Sequence, residues 1–168
     1  MEYLARKISR AKWEIKPSMG QDEISADAIT GCLRTQDNAL SFWQCNLNEE
    51  DVTEVVLALV TSMQRIDAMQ IVLLHRNELE ADIFTLKSTP GNTPIDDLHS
   101  RHRDVVNLDM KRLCALAEKI ATKVRGDSDC YQFTRVKVRE ILHQAVKTGR
   151  VRIDQLQDKV QGEIRKIQ

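Results

Sequence analysis

The sequence predicts an α+β fold in which a small N-terminal antiparallel sheet with one packed helix is followed by a C-terminal all-helical half. Short apolar runs of strand length occur before residue 88, whereas apolar residues after residue 94 recur at the spacing of three and four that helices require. Between them, residues 88–94 are rich in Pro, Gly, Asn and Thr, which is typical of a loop. We therefore divide the chain into an α+β unit over 1–88 and a helical region over 94–168, packed as one compact domain or as two lobes.

The first part of the sheet is predicted to be a hairpin. Residues 24–45 contain two stretches of strand character, AITGCLRT and ALSFWQC, separated by Gln36, Asp37 and Asn38. Asp and Asn tolerate the left-handed backbone that tight turns demand, so these residues predict the turn.

One amphipathic helix is expected to pack on this sheet. Asn48 is a good N-cap, and three acidic residues follow it in the first turn, where the helix dipole favours negative charge. The apolar stripe of the helix consists of Val52, Val55, Val56, Leu59, Val60 and Met63. Two further strands are predicted at residues 71–74 and 83–86, with the polar stretch 76–78 between them.

The C-terminal region is predicted to contain three helices. The first follows Pro94, is broken near Asn107 and ends at Gly126, with an apolar stripe of Leu113, Leu116, Ala117, Ile120 and Val124. The second covers residues 134–147 and ends at Gly149. The third begins at Asp154, where Gln157 three residues later completes a capping-box pattern.

Composition excludes several classes of protein. The 168 residues include 25 basic and 25 acidic side chains and 42% apolar residues, which disfavours disorder and any global attraction to nucleic acid. No apolar run has the length of a membrane-spanning helix, and the N-terminus carries charges where a signal peptide has its apolar core. We expect a cytoplasmic protein with no membrane contact.

The cysteines and histidines give no complete metal or redox motif. Four scattered cysteines without a CxxC pair predict reduced thiols, and a Cys32–Cys45 disulfide is disfavoured in the cytosol. His99 and His102 lie three residues apart, but no third ligand follows at a known spacing, and neighbouring arginines oppose a cation. We interpret this pair as part of a solvated helix start, and no metal is expected.

Catalytic motifs are also incomplete in this sequence. Arg139 and His143 resemble the Arg-and-His pairing of some metal-independent ribonucleases, but those enzymes separate the two residues further, so a surface pair is favoured. There is no phosphate-binding glycine loop and no GxSxG motif. We therefore expect a protein that is not an enzyme, has no cofactor and acts by binding other proteins.

Two sets of residues are candidates for binding a protein partner. Trp13 and Trp43 are typical either of a core or of an interface anchor. The narrow C-terminal stripe of Leu156, Val160 and Ile164 predicts a helix that docks on its own domain or on a partner.

A third set is a candidate for contacting nucleic acid. From Phe133 to Arg152 the basic residues outnumber the single acid, Glu140, by five. Such a helix pair could lie on a phosphate backbone, or its charges could simply be solvated. The basic residues concerned are Arg135, Lys137, Arg139, Lys147, Arg150 and Arg152.

The N-terminal pattern resembles a known family. The segment LARKISRAKW, followed by EISADAITGCLRT, ALSFWQC and a Val-rich helix, is similar to the middle components of bacterial ABC-three-component systems, which include Lamassu-type antiphage defence. The resemblance covers about the first 75 residues and contains no catalytic motif. It implies a non-catalytic accessory subunit that bridges or regulates an SMC-like ATPase and an effector nuclease, with DNA reached through the complex.

Two other classes of function remain open from the sequence. One is a nucleic-acid-binding regulator that uses the basic C-terminal helices, for which a steep salt dependence of DNA binding would be diagnostic. The other is a small immunity or antitoxin protein that uses the N-terminal sheet, for which a single tightly bound toxin would be diagnostic.

Overall fold

The chain folds around a six-stranded antiparallel sheet whose strands lie between Glu2 and Phe133. The computed structural model describes residues 2–20 and 22–166. The strands occur in the spatial order β4-β5-β2-β1-β3-β6, and every neighbouring pair is antiparallel. They are β1 (Glu2–Ile8), β2 (Leu40–Asn46), β3 (Met69–His75), β4 (Thr85–Ser88), β5 (His102–Val106) and β6 (Cys130–Phe133).

Helices cover both faces of the sheet. They are α1 (Ala26–Cys32), α2 (Glu49–Thr61), α3 (Arg76–Glu80), α4 (Asp96–His99), α5 (Met110–Arg125), α6 (Arg135–Lys147) and α7 (Asp158–Arg165), with short 3₁₀ helices at Arg10–Lys12 and Ile153–Gln155. Successive strand residues point to opposite faces, so Tyr3 and Leu4 enter different cores.

The first core lies between the sheet and helices α2, α4, α6 and α7. Val56 of α2 and Leu142 of α6 are completely buried there against strand residues such as Ile71 and Leu73. The second core lies on the other face, where α1, α3 and α5 cover Leu4, Phe42 and Val72. Because both faces are covered, the central strands are apolar on both sides.

The turn and the first long helix were predicted correctly. Asp37 and Asn38 have φ angles of 52° and 56°, the left-handed geometry expected of them, and Gln36 pairs with Ala39 across the turn. The side chain of Asn48 accepts a hydrogen bond from the Asp51 amide at 2.8 Å, which caps α2.

The predicted hairpin over residues 24–45 is wrong in its first half. Residues Ala26–Cys32 form helix α1, capped by the Ser25 side chain. Only Ala28 and Cys32 of this helix are buried, and both face the second core. Burial of these two side chains in the second core outweighs the low helix propensity of the β-branched residues Ile29 and Thr30.

The prediction of an all-helical C-terminal half is also wrong. Strands β5 and β6 both come from residues 94–168, so the two predicted regions share one sheet. Each of these strands buries only one side chain, Val105 in β5 and Phe133 in β6, which leaves no alternating pattern for sequence reasoning to detect.

The predicted helix boundaries in this region need two further corrections. A strand, β5, stands where a long helix broken near Asn107 was expected. The last helix begins at Asp158 and not at Asp154, because Asp154 lies in the 3₁₀ turn that precedes it. Helices α5 and α6 agree with their predicted residues, and Gly149 has the positive φ of 74° expected after a helix end.

Candidate functional site: a polar cleft at one end of the sheet

A polar cleft of about 370 Å³ opens where β1 begins, β2 ends and β5 begins. We refer to it as the polar cleft. It is lined by Glu2, Gln44, Cys45, Asn46, Asp51, Ser100, Arg101 and Arg103. A concave site of this volume is within the range that holds small ligands or a few atoms of a partner chain.

Strand register brings the main polar residues of the cleft onto one face. Phe42 pairs with Arg103 across β2 and β5, and the backbone amide of Gln44 donates to the carbonyl oxygen of Arg101 at 2.7 Å. Since residues two apart along a strand share a face, Gln44, Arg101 and Arg103 lie on the same side of the sheet.

The guanidinium of Arg103 is fixed on one edge and open on the other. Its Nη1 donates to the carbonyl oxygens of Ser100 at 2.6 Å and His102 at 2.8 Å, and to the hydroxyl of Ser88 at 3.1 Å. Within residues 2–20 and 22–166, its Nε and Nη2 have no hydrogen-bond acceptor and no carboxylate partner. Arg103 is therefore held in place with an edge that is available to an anion.

Arg101 is partly neutralised by Asp51, with 3.3 Å between Nη1 and Oδ1. Oδ2 of Asp51 also accepts hydrogen bonds from the backbone amide of Asn46 at 3.0 Å and from its side-chain amide at 2.6 Å. Burial raises the pKa of Asp51, but these hydrogen bonds and the charge of Arg101 outweigh it and lower the pKa below its ordinary value. Asp51 is ionised at neutral pH.

Gln44, on the same side of the sheet as these arginines, carries an acceptor without a donor. The side-chain amide of Gln44 donates to Oε1 of Glu2 at 2.6 Å, and Glu2 also pairs with Arg76. The other amide atom, Oε1 of Gln44, is buried and receives no hydrogen bond within the described part of the chain. A buried unsatisfied acceptor costs about 1–3 kcal/mol, so this group would gain from a donor supplied by a ligand.

Cys45 lines the cleft but is not a nucleophile. Burial raises the pKa of its thiol to about 12, and the charge of Asp51 acts in the same direction. The thiol stays protonated at neutral pH. The cleft therefore offers a ligand charged groups, hydrogen-bonding groups and a neutral thiol.

The two histidines considered for a metal instead hold the loop over residues 89–94. His99 Nε2 contacts the carbonyl oxygen of Thr93, and His102 Nδ1 lies 2.8 Å from the hydroxyl of Thr89. The loop approaches Trp43 so closely at Gly91 that a side chain there would clash with the indole ring. Among the residues with described positions, no three His, Cys, Asp or Glu side chains are grouped to hold a metal.

The predicted partner-binding residues all lie in the cores of the chain. Trp13 is 1% exposed and Trp43 is 7% exposed. Leu156, Val160 and Ile164 are buried in the first core, where the C-terminal stripe docks on its own domain. These five side chains stabilise the fold and leave almost no surface for a partner to contact.

The predicted nucleic-acid-binding residues lie outside the cores, on α6 and the segment after it, and fall into two groups. Arg135, Arg150 and Arg152 form ion pairs with Glu163, with Glu54 and Asp97, and with Asp154, respectively. The remaining three have no carboxylate within 4.0 Å among the described residues; they are Lys137, Arg139 and Lys147. The structure thus separates paired from unpaired charges, a distinction that the sequence alone does not contain.

Sequence reasoning missed the polar cleft as a site. It considered Arg101 and Arg103 only as charges that oppose a metal, because it placed them on a helix. All four residues from Arg101 to Asp104 are polar, so no apolar alternation marked this segment as a strand, and the cleft could be recognised only from the pairing of β5 with β2.

Comparisons with known proteins do not place the chain in a family. It matches no protein-family model, no curated protein and no solved structure.

Proposed function

We propose that this chain is a non-catalytic, cytoplasmic accessory subunit that binds other proteins in a bacterial defence complex. In this proposal it bridges or regulates an SMC-like ATPase and an effector nuclease, and the chemistry belongs to those partners. The observation that carries the proposal is the polar cleft, in which Arg103 presents an oriented and unpaired guanidinium edge. Arginine is enriched at protein interfaces because it makes such directed contacts.

The position of the family-like segment supports the same proposal. The stretches that resemble the middle components of ABC-three-component systems form β1, α1, β2 and α2, which include two central strands of the sheet. Two walls of the polar cleft, at Glu2 and at Gln44, belong to these strands. The resemblance and the candidate site therefore fall in the same part of the fold.

The cysteines agree with the proposed cytoplasmic location. Cys32, Cys45, Cys114 and Cys130 are all free thiols, which agrees with a reducing compartment. Within the described ranges, no helix combines the length and the apolar character needed to cross a bilayer.

Co-expression with defined partners tests the proposal. The chain would be produced together with an SMC-like ATPase and a nuclease from the same genome, each carrying a different tag. We expect sequential purification on two tags to retain all three chains in fixed stoichiometry. Recovery of the ATPase and nuclease together without this chain would contradict the proposal, and an ATPase with mutated nucleotide-binding residues controls for the need for nucleotide.

A nucleic-acid-binding role is a second candidate, favoured by one observation. Residues 134–168 contain nine Lys and Arg against four Asp and Glu, whereas residues 1–133 contain 16 against 21. The chain therefore has an acidic body and a basic end, and Lys137, Arg139 and Lys147 of that end are unpaired among the described residues. Such a charge distribution orients a protein on a phosphate backbone.

A further inference from the structure

We propose that the polar cleft binds the free carboxylate at the C-terminus of a polypeptide. The inference rests on the proposed protein-binding function and specifies which part of a partner the cleft holds. Three features of the cleft support it: the open edge of Arg103, the absence of a described carboxylate partner for Arg103 among the ion pairs of the cleft, and the unsatisfied acceptor of Gln44.

The first feature is the geometry of Arg103. Its Nη1 is anchored by two carbonyl oxygens and one hydroxyl, so the plane of the guanidinium is set before any ligand arrives. Nε and Nη2 share the opposite edge, and they can donate two parallel hydrogen bonds to the two oxygens of one carboxylate. Pre-orientation of this kind reduces the entropy lost on binding.

The second feature is the charge that remains after the internal ion pairs are formed. Asp51 pairs with Arg101, and Glu2 pairs with Arg76. Of the charged groups that line the cleft, Arg103 is left as the one cation without a described carboxylate partner. A single positive charge flanked by two carboxylates favours a monoanion and repels a dianion such as phosphate.

The third feature is the acceptor of Gln44, which lies on the same side of the sheet as Arg103. Oε1 of Gln44 is buried without a donor, while Nε2 of the same amide is held by Glu2. The last residue of a polypeptide carries both a carboxylate and an amide N–H, which can satisfy Arg103 and Gln44 together after a rotation of the Gln44 side chain. Side-chain rotations of this kind are common when ligands bind.

Small analogues of a chain terminus test this inference on the intact protein. The ¹⁵N-labelled chain would be titrated with N-acetylalanine, which carries a carboxylate and an amide N–H, and with N-acetylalaninamide, which lacks the carboxylate. We expect N-acetylalanine to give saturable shifts of the Arg103 Nε–H and the Gln44 side-chain amide, with a Kd on the order of millimolar. N-acetylalaninamide should bind on the order of tenfold more weakly or worse.

Two further probes distinguish a polypeptide terminus from other small anions. Acetate supplies the carboxylate without the amide, and it should bind more weakly than N-acetylalanine. Inorganic phosphate should also bind more weakly, because Glu2 and Asp51 repel a dianion. Equal binding of acid and amide, or binding of acetate or phosphate as tight as that of N-acetylalanine, would overturn the assignment to a polypeptide terminus.

Variants locate the binding in the cleft. Arg103→Gln should weaken binding of N-acetylalanine by about tenfold to a hundredfold. Arg34→Gln should leave binding unchanged, because Arg34 is exposed in the segment between α1 and β2 and does not line the cleft. If Arg103→Gln does not fold, the comparison of acid and amide on the unaltered chain still decides the question. If N-acetylalanine but not N-acetylalaninamide binds, and the chain does not join the ATPase and the nuclease, the proposed function alone is wrong. If the chain joins both partners but the acid and the amide give equal shifts, this inference alone is wrong.

Discussion

The half-buried side chain of Arg6 ties strand β1 to the last residue of helix α1, Cys32. Its Nε and Nη2 donate to the Cys32 carbonyl oxygen at 2.9 Å and 2.7 Å, and its Nη1 donates to the carbonyl oxygen of Ser41 at 2.6 Å. The guanidinium also lies 5.6 Å from the centroid of the Phe42 ring. Burial lowers the pKa of Arg6 to about 10, so the group is still charged at neutral pH.

Replacement of Arg6 by Met is expected to destabilise the protein by about 2–3 kcal/mol, because two backbone carbonyls would lose a charged donor. One of these carbonyls belongs to a helix end that has no other partner for it in the described structure. Urea unfolding followed by circular dichroism measures the change. Arg34→Met is the matched control, since Arg34 is exposed, and a loss of stability no larger than in this control would contradict the role of Arg6.

Gly91→Ala is predicted to destabilise the protein by about 1–3 kcal/mol. A Cβ atom at Gly91 would lie 2.4 Å from Cη2 of Trp43 and 3.2 Å from Cβ of His102, so the loop or the indole must move. The change would be measured as a lower midpoint of urea unfolding, accompanied by a shift in tryptophan fluorescence.

A second glycine provides the control for this substitution. Gly162 lies inside α7, and a Cβ there meets no atom within 4 Å. Gly162→Ala should therefore raise stability by about 0.5–1 kcal/mol, as expected from helix propensity alone. If both substitutions changed stability in the same direction and by the same amount, the close contact between Gly91 and Trp43 would be refuted.

His102 is expected to make stability depend on pH. Burial lowers its pKa below the ordinary value of 6.5, with the charge of Asp104 and the contact with Thr89 acting in the opposite direction and the charge of Arg103 adding to the effect. The unfolded chain then binds more protons than the folded chain just below pH 6.5. The contribution of His102 is fully present above that pH and is lost as the pH falls through the folded pKa.

Two measurements check this expectation. Urea unfolding at pH 7.5 and at pH 5.5, for the unaltered chain and for His102→Gln, should show a smaller loss of stability in the variant at the lower pH. An NMR titration of the His102 ring protons gives its pKa directly. A value at or above 6.5 would be incompatible with the desolvation described here.

Arg150 is predicted to stabilise the contact between α2 and the segment after α6. It pairs with Glu54, whose side chain is 21% exposed, and with Asp97. A double-mutant cycle with Arg150→Gln and Glu54→Gln should give a coupling energy of about 0.5–1.5 kcal/mol. Arg139→Gln combined with Glu54→Gln is the control, because Arg139 has no described ion-pair partner. A coupling energy between Arg150 and Glu54 that is indistinguishable from zero would show that the pair is solvated.

Direct DNA binding, if it occurs, should depend on the unpaired cations of α6. Fluorescence anisotropy with a labelled duplex over a range of salt concentrations should show that Lys137→Gln, Arg139→Gln and Lys147→Gln each reduce the slope of log K against log salt by about 0.9. Arg135→Gln should change it less, because Glu163 already neutralises that charge. Binding that is independent of salt, or equal effects of all four variants, would exclude this surface.

Local signals allowed part of the fold to be predicted from sequence. Asn48 with its following acids, and the stripe that begins at Val52, predict α2 because capping and amphipathic spacing act within the helix itself. Asp37 and Asn38 predict their turn for the same reason, since the left-handed backbone is a property of those residues.

The remaining elements depend on contacts between distant parts of the chain. Strand β6 exists because Gln132 and Phe133 pair with β3, more than sixty residues earlier, and β5 is held between β2 and β4. The polar cleft was missed for the same reason. Gln44 and Arg101 are brought together by strand pairing alone, and a helix in place of β5 would point Arg101 and Arg103 in different directions.

The composition of the purified complex decides whether this chain is an accessory subunit. This chain, the SMC-like ATPase and the nuclease would be co-expressed, and the mass of the eluting species would be determined by size-exclusion chromatography with light scattering. We expect one species that contains all three chains and that loses this 19.3 kDa subunit when Arg103 is replaced by Gln, but not when Arg34 is replaced by Gln. Elution of the unaltered chain at its own mass, apart from an ATPase–nuclease complex, would show that it is not a subunit of that complex.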